Sequence, residues 1–258
     1  MHRITHVRRT VVASAAAATL ASLVLFPGFA AASTASGTGT ASGTGTASGT
    51  GTASATSKAS ADEQRLMKQL QLRASQLANL SNEVSAATAL SPSDQGGLEE
   101  KLASATTSIN ALIQAAPNDT LRELRVARHT MIYANRVFAV LTPVVYEVIA
   151  SDTVASQAAS LAAEEPQLQS EVTAAQGQVG AHNALAHDRA FVHAVSFAQA
   201  ATTKVSSSLL AQGPQDYRRD RGLLIRSNRQ ILAASEALAR ASYDKTIVAL
   251  ATNGYTGS

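Results

Sequence analysis

From about Ser60 onward, apolar residues recur at intervals of three and four, and nowhere do they alternate with the period of two that marks a strand. Leu66, Leu70, Leu77, Leu80, Val84 and Ala87 form the first stripe, interrupted at Arg73. They predict a helix of about 28 residues, opened by the capping box Ser60-Ala61-Asp62-Glu63. Ser91-Pro92-Ser93-Asp94 supplies a cap, a proline at the first helical position and an acid in the first turn. The second stripe follows, Leu98, Leu102, Ala105, Ile109, Leu112 and Ala116, and Pro117-Asn118-Asp119 ends it. The short connection between the two helices predicts an antiparallel hairpin.

Thr120-Leu121-Arg122-Glu123 caps a third helix, the most apolar segment of the region. One stripe runs through Leu124, Ala127, Met131, Ala134, Phe138, Leu141, Val145 and Val148. Val126, Tyr133, Val137, Val140 and Val144 make a second, so this helix is expected to be central and covered on two sides. Pro143 predicts a kink near Ala139–Pro143. Met131 to Ala150 has membrane-span length but contains Asn135, Arg136 and Glu147, and each charge near mid-bilayer costs about 2.5–3.5 kcal/mol. A buried core helix is the expectation.

A fourth helical region carries Val154, Ala158, Leu161, Leu168, Val172, Ala175 and Val179; Glu165 breaks its stripe, Pro166 predicts a kink or restart, and Gly177 and Gly180 weaken its end. The fifth carries Phe191, Val195, Ala198, Thr202, Val205 and Leu209 and stops at Gly213-Pro214. The sixth begins at Pro214, carries Leu224, Ile231 and Leu238, and ends before the tail 253–258. The fold class is therefore all-α: an elongated bundle of five or six long helices with coiled-coil-like packing, over residues 60–252.

What precedes the bundle changes its address and its charge. Arg3, Arg8 and Arg9 with no acid, the apolar run Val11–Phe26 and the small residues Ala30 and Ala32 make the three-part pattern of a secretory signal peptide over 1–32. The alternative is an uncleaved N-terminal membrane anchor. Residues 33–59 are a Gly/Thr/Ala/Ser-rich linker in which Thr-Ala-Ser-Gly-Thr-Gly repeats three times. It offers too little apolar surface to offset the entropy of ordering, and is expected to be disordered. The whole chain has 21 Lys plus Arg against 18 Asp plus Glu. Removing the three signal arginines leaves a formally neutral protein, which takes away the global charge that nucleic-acid binding would use. Cysteine is absent, so disulfides, thiol nucleophiles and thiolate metal sites are excluded.

Motifs for chemistry are sparse. His182, His187 and His193 stand five and six residues apart, spacings that point rings away from one another on a helix. With His129 they are expected to be surface or cap residues, and no metal or cofactor is implied. Ser242-Tyr243-Asp244-Lys245 matches Ser-x-x-Lys without the motifs that accompany it in penicillin-recognising enzymes, and reads as a chance match. Two arginine clusters are candidate anion-binding groups: Arg122, Arg125 and Arg128, and Arg218, Arg219 and Arg221 with Arg226 and Arg229 nearby. The competing expectation pairs them with acids such as Glu147, Asp152, Asp216 and Asp220. Asn135 and Arg136 lie in an apolar run, where a buried guanidinium needs a partner. An ion pair from Arg136 to an acid of another helix is predicted, with Asp152 the preferred partner.

Arg136-Val137-Phe138-Ala139-Val140-Leu141-Thr142-Pro143 followed by Ser151-Asp152 resembles a segment of Ala-rich exported helical proteins of actinobacteria. Tyr217, Asn228 and the stretch Ile231–Leu250 are similar to their C-terminal region. The Gly-Thr-Ala-Ser repeat and Glu165-Pro166 depart from that pattern. The resemblance implies an exported helical protein and brings no catalytic residue. The expectation is a non-enzymatic scaffold or interaction protein of the cell surface or extracellular space. Its stripes, interrupted at Arg73, Glu165 and Asn228, would suit another helical protein or self-association. The alternative is a protein that binds anionic envelope polymers or head groups through the arginine clusters.

Overall fold

Most residues of the stripes read from the sequence lie on the contact faces of five long helical runs, while Val126, Tyr133, Phe138 and Val179 are exposed. A computed structural model describes residues 51–220 and 222–252. The signal segment, the linker as far as residue 50, Arg221 and the tail 253–258 lie outside the described residues. Every regular element among those described is helical, so the protein is all-α.

Helix α1 spans Gly51–Ala86. It begins well before the expected Ser60, which lies inside the helix rather than capping it. Ala53, Ala55 and Ala59 have the highest helix propensity, so the helix extends upstream into the last part of the predicted linker. Helix α2 spans Pro92–Ala115, with Ser91 as its N-cap accepting the Asp94 N–H at 3.1 Å. A 3₁₀ turn, Ala116–Asn118, closes it.

Helix α3, Leu121–His129, opens on the predicted capping box. The Thr120 hydroxyl accepts the Glu123 N–H at 3.4 Å, and the Glu123 carboxylate accepts the Thr120 N–H at 2.7 Å. Two π-helical stretches follow, Thr130–Asn135 and Val137–Leu141, separated by Arg136 at φ 44°, ψ 39°. Helix α4 then runs Thr142–Ala162 and, after one turn, α5 runs Glu165–Ala174 with Pro166 in its first turn. Leu121 to Ala174 is one helical run of 54 residues, hereafter the spine.

The spine breaks at Arg136, upstream of the predicted kink, and the π turns explain the offset. The Thr142 N–H reaches back five residues to the Val137 carbonyl, and the Thr142 hydroxyl joins it at 3.1 Å. Wide turns relieve the crowding of the Pro143 ring against the preceding turn, which a tight α-turn would not. The expected boundary between third and fourth helices does not exist, because Ser151 and Asp152 lie inside α4, buried and partnered.

Helix α6 spans Ala181–Leu210, entered through Gly177 and Gly180, whose φ of 87° and 102° suit residues without a Cβ. Helix α7 spans Leu223–Thr252. Its start lies well beyond the expected Pro214, since a 3₁₀ turn, Asp216–Arg218, intervenes. The Asp216 carboxylate accepts the Gly213 N–H at 3.0 Å, stabilising a turn rather than a helix start.

Side-chain pairs fix how these runs pack. Arg73 lies 5.1 Å over the Phe138 ring, Tyr146 donates to Glu83 at 2.9 Å, and the Ser91 N–H donates to Asp152 at 2.8 Å. Residue numbers rise together on both sides of that series, so α1 runs parallel to the first half of the spine, with α2 returning beside them. In the second half, Ser151 donates to the Thr202 carbonyl at 3.0 Å and Ser206 to Asp152 at 3.1 Å, which makes α6 antiparallel to α4. His187 meets Asp244 at 2.6 Å and Lys245 pairs with Glu164, so α7 folds back along α6 and reaches the α4–α5 turn. Two antiparallel hairpins therefore share one spine, α1–α2 on its first half and α6–α7 on its second.

Leu70, Leu80, Val84, Leu98, Ile109, Met131, Val148, Phe191 and Leu209 are fully buried along this length. At roughly 25 cal/mol per Å², each contributes on the order of 1.5–3 kcal/mol. The spine is the run among the described residues that is long and apolar enough to cross a membrane, and 56% of its most apolar window is buried in the bundle. Its second stripe is covered only from Val137 onward: Val126 and Tyr133 are exposed.

Candidate functional site

Two places on the bundle concentrate polar chemistry, one buried and one open. The buried one is the junction where the two hairpins meet the middle of the spine. Asp152, 7% exposed, accepts the Ser91 N–H that opens α2 and the Ser206 hydroxyl from α6. One carboxylate thus ties three helices. Its charge, together with burial, raises the pKa of Asp94 one turn into α2; burial is the larger cause. One turn before Asp152 on α4, Glu147 is 6% exposed and its Oε2 has no hydrogen-bond partner. Burial pushes its pKa up to about 8. Tyr217, from the α6–α7 connection, is also buried; its hydroxyl donates to the Leu209 carbonyl at 3.4 Å. Burial and then the nearby Glu147 charge raise its pKa.

Asn135 is buried as predicted, with its Nδ2 unpartnered, and Arg136 is half-buried with Nη1 unpartnered. The predicted Arg136–Asp152 ion pair is not formed. Both residues lie on the same spine, sixteen positions apart, about 24 Å at 1.5 Å per residue. The prediction assumed a helix break between them, and there is none.

The open site is an arginine cleft at the start of α3. The predicted trio does not act as one edge. Arg125 and Arg128 line a cleft of about 130 Å³ against α1, together with Arg65, Asp62, Leu66 and Gln69. Arg122 lies on the other side of α3, in a wider cleft of about 470 Å³ beside Asp119, Glu123 and Val126. Arg65 was not a candidate from sequence, because its proximity depends on the register of α1 against α3. It lies 4.0 Å from Asp62, so among the described residues that line the cleft three guanidinium groups stand with one carboxylate.

The second arginine cluster is elsewhere. Arg218 and Arg219 belong to the α6–α7 connection, which packs near the start of α2 through the Lys101 ammonium donating to the Gln212 carbonyl at 2.7 Å. Arg122, Arg125 and Arg128 stand past the opposite end of α2. The two clusters therefore do not form a common patch. Arg226 pairs with Asp220, one of the acids expected to compete for these arginines. Arg221 lies outside the described residues.

Several of the remaining motif residues are held by other side chains or by the backbone. Lys245 pairs with Glu164, while the Ser242 hydroxyl donates to the Leu238 carbonyl at 3.0 Å, so neither is directed at the other. His187 is bound to Asp244, and His129 stacks on Tyr133 with centroids 4.5 Å apart. Among the described residues, no three His, Asp or Glu side chains gather as a metal-binding group. No family model, curated protein or solved structure matches the chain.

Proposed function

We propose that this is an exported, non-enzymatic helical scaffold that acts by presenting surface at the cell envelope or outside the cell. One observation supports this best: Glu147, whose pKa burial raises, and the doubly hydrogen-bonded Asp152 are inside the packing, while the extended exposed features are an arginine cleft and apolar helix faces. Groups sealed among three helices stabilise and orient; they do not reach solutes. The residues that resemble actinobacterial exported proteins, 136–152, form the spine break and this junction. The signal-like segment 1–32 supplies the route out, with cleavage near Ala32. Cell fractionation with N-terminal sequencing tests the address. Ser33 as first residue in wall or medium agrees with it, intact Met1 in the membrane means an anchor, and intact Met1 in the cytosol sinks export.

The second reading is binding of a carboxylate- or phosphate-bearing envelope polymer, favoured by the convergence of Arg65, Arg125 and Arg128. Planar guanidinium groups match such anions in bidentate geometry. Neutrality of the mature chain leaves nucleic acid without a global attraction. Replacing these three arginines by Ala should reduce polymer retention at least tenfold at low salt, and added salt should weaken the wild type. Arg218→Ala with Arg219→Ala should leave retention unchanged.

A further inference from the structure

The face of α7 turned away from the bundle has the wrong composition for a solvent face. Ala234, Ser227, Ala241, Leu238, Ile231 and Val248 fill its buried side. At 100° per residue, Ile225, Leu232, Ala239, Tyr243 and Leu250 cluster within about 40° of the opposite line. All five are exposed, Ile225 to 58% and Tyr243 to 62%. Single exposed apolar residues are ordinary, but a line of them along seven turns is not. Their spacing of seven, seven, four and seven is the a/d pattern of a coiled-coil seam, completed by Arg229, Glu236 and Thr246. All eight positions are exposed.

We propose that this seam binds α7 of a second copy of the protein, antiparallel, in an isologous two-fold interface. This deepens the reading of the bundle as an interaction scaffold, by naming the partner of one face. The seam is self-complementary when reversed. With the axis between Ala237 and Leu238, Ile225 meets Leu250 of the second copy and Leu232 meets its Tyr243. Each bulky charged residue meets a small one: Glu236 faces Ala239 of the second copy, and Arg229 faces its Thr246. Glu236 and Arg240, 4.0 Å apart within one helix, then lie head-to-tail against the same two residues of the second copy, acid toward base. A parallel, in-register pair would instead bury Arg229 on Arg229 and Glu236 on Glu236. Like charges at core positions oppose that arrangement. The same reversal logic is what a C2 interface requires, since each contact occurs twice.

The register makes a charge-exchange test possible. The purified wild-type protein should sediment as a concentration-dependent dimer at micromolar concentration. Leu232→Lys and Tyr243→Glu should each give a monomer of unchanged helicity, because both side chains are exposed and Tyr243 meets its own bundle through an edge-on contact with His187, ring centroids 6.3 Å apart. Combining them should restore the dimer, since residue 232 of one copy stands against residue 243 of the other. Because the chain has no cysteine, a Leu232→Cys/Tyr243→Cys variant should also form the intermolecular disulfide under mild oxidant, whereas Leu232→Cys alone should not. A monomeric wild type, a dimer that persists in Leu232→Lys, or a folded double variant that stays monomeric would each overturn the proposal. A wild-type monomer that is nonetheless exported would fail this inference and leave the scaffold reading standing.

Discussion

Glu147 is the residue whose chemistry departs furthest from its surroundings. Burial raises its pKa from an ordinary 4.5 to about 8. Between those values the unfolded chain releases the proton and the folded one keeps it, so stability falls as pH rises through that window. Glu147→Gln removes the titration. The variant should be more stable than wild type by about 2–4 kcal/mol at pH 8 and unchanged at pH 4, read from thermal melts at both. Arg136 makes a different prediction. A non-glycine residue at φ 44° brings its Cβ against the following carbonyl, at a cost of roughly 1–2 kcal/mol. Arg136→Gly should therefore exceed Arg136→Ala in urea-melt stability by about 1 kcal/mol, since only Gly relieves the contact while both lose the same guanidinium.

At the scale of elements, Asp152 is the fastening between hairpins. Truncation to Ala leaves the Ser91 N–H and Ser206 hydroxyl without their acceptor, and should destabilise the protein by about 2–3 kcal/mol. It should also lower the pKa of Asp94, which carboxylate chemical shifts would follow during titration. That Asp152 would be buried and partnered was legible, because an acid beside an apolar run has few alternatives. Which group it meets was not, because the answer depends on α4 continuing through Ser151-Asp152. The helix faces were legible wherever one stripe dominates, as in α1, α2 and α6, whose predicted residues are buried apart from the half-buried Ala87 and Leu112. On α7 the inner stripe Leu224, Ile231 and Leu238 was found and the outer one was not. Its apolar residues Ile225, Leu232, Tyr243 and Leu250 stand seven and eleven positions apart with Arg229 and Glu236 between them, so no continuous stripe marks that face. Arg65 escaped for the corresponding reason: it lies far in sequence from Arg125 and Arg128, and only the side-by-side register of α1 and α3 unites them.

At the scale of the molecule, the two halves of the bundle are not equally secured. The α6–α7 hairpin clasps α4 and α5 through Ser151, Asp152, Glu164 and a run of fully buried residues from Ala184 to Leu209. The first half contains exposed Val126 and Tyr133, wide π turns and unpartnered polar atoms on Asn135 and Arg136. Local openings follow such differences in burial and pairing. Native-state hydrogen exchange should show the slowest amides in α4, α6 and α7, and exchange at least tenfold faster through 121–141. A uniform exchange rate along the spine would contradict this.

The left-handed residue in that weaker half has a geometric role that its local strain does not suggest. Upstream of Arg136 the spine buries one stripe, and downstream it buries two, so Arg136 with its flanking wide turns acts as a phase shifter within a single rod. An α-helix turns about 100° per residue, so adding or deleting one residue there would rotate everything beyond it by that angle. The α1–α2 contacts Arg73–Phe138, Glu83–Tyr146 and Ser91–Asp152 all lie beyond that point, so the rotation would carry their spine partners away while α3 kept its seat against α1. Position 136 is thereby a keyway: it fixes the angle at which both ends of the rod fit against the same hairpin.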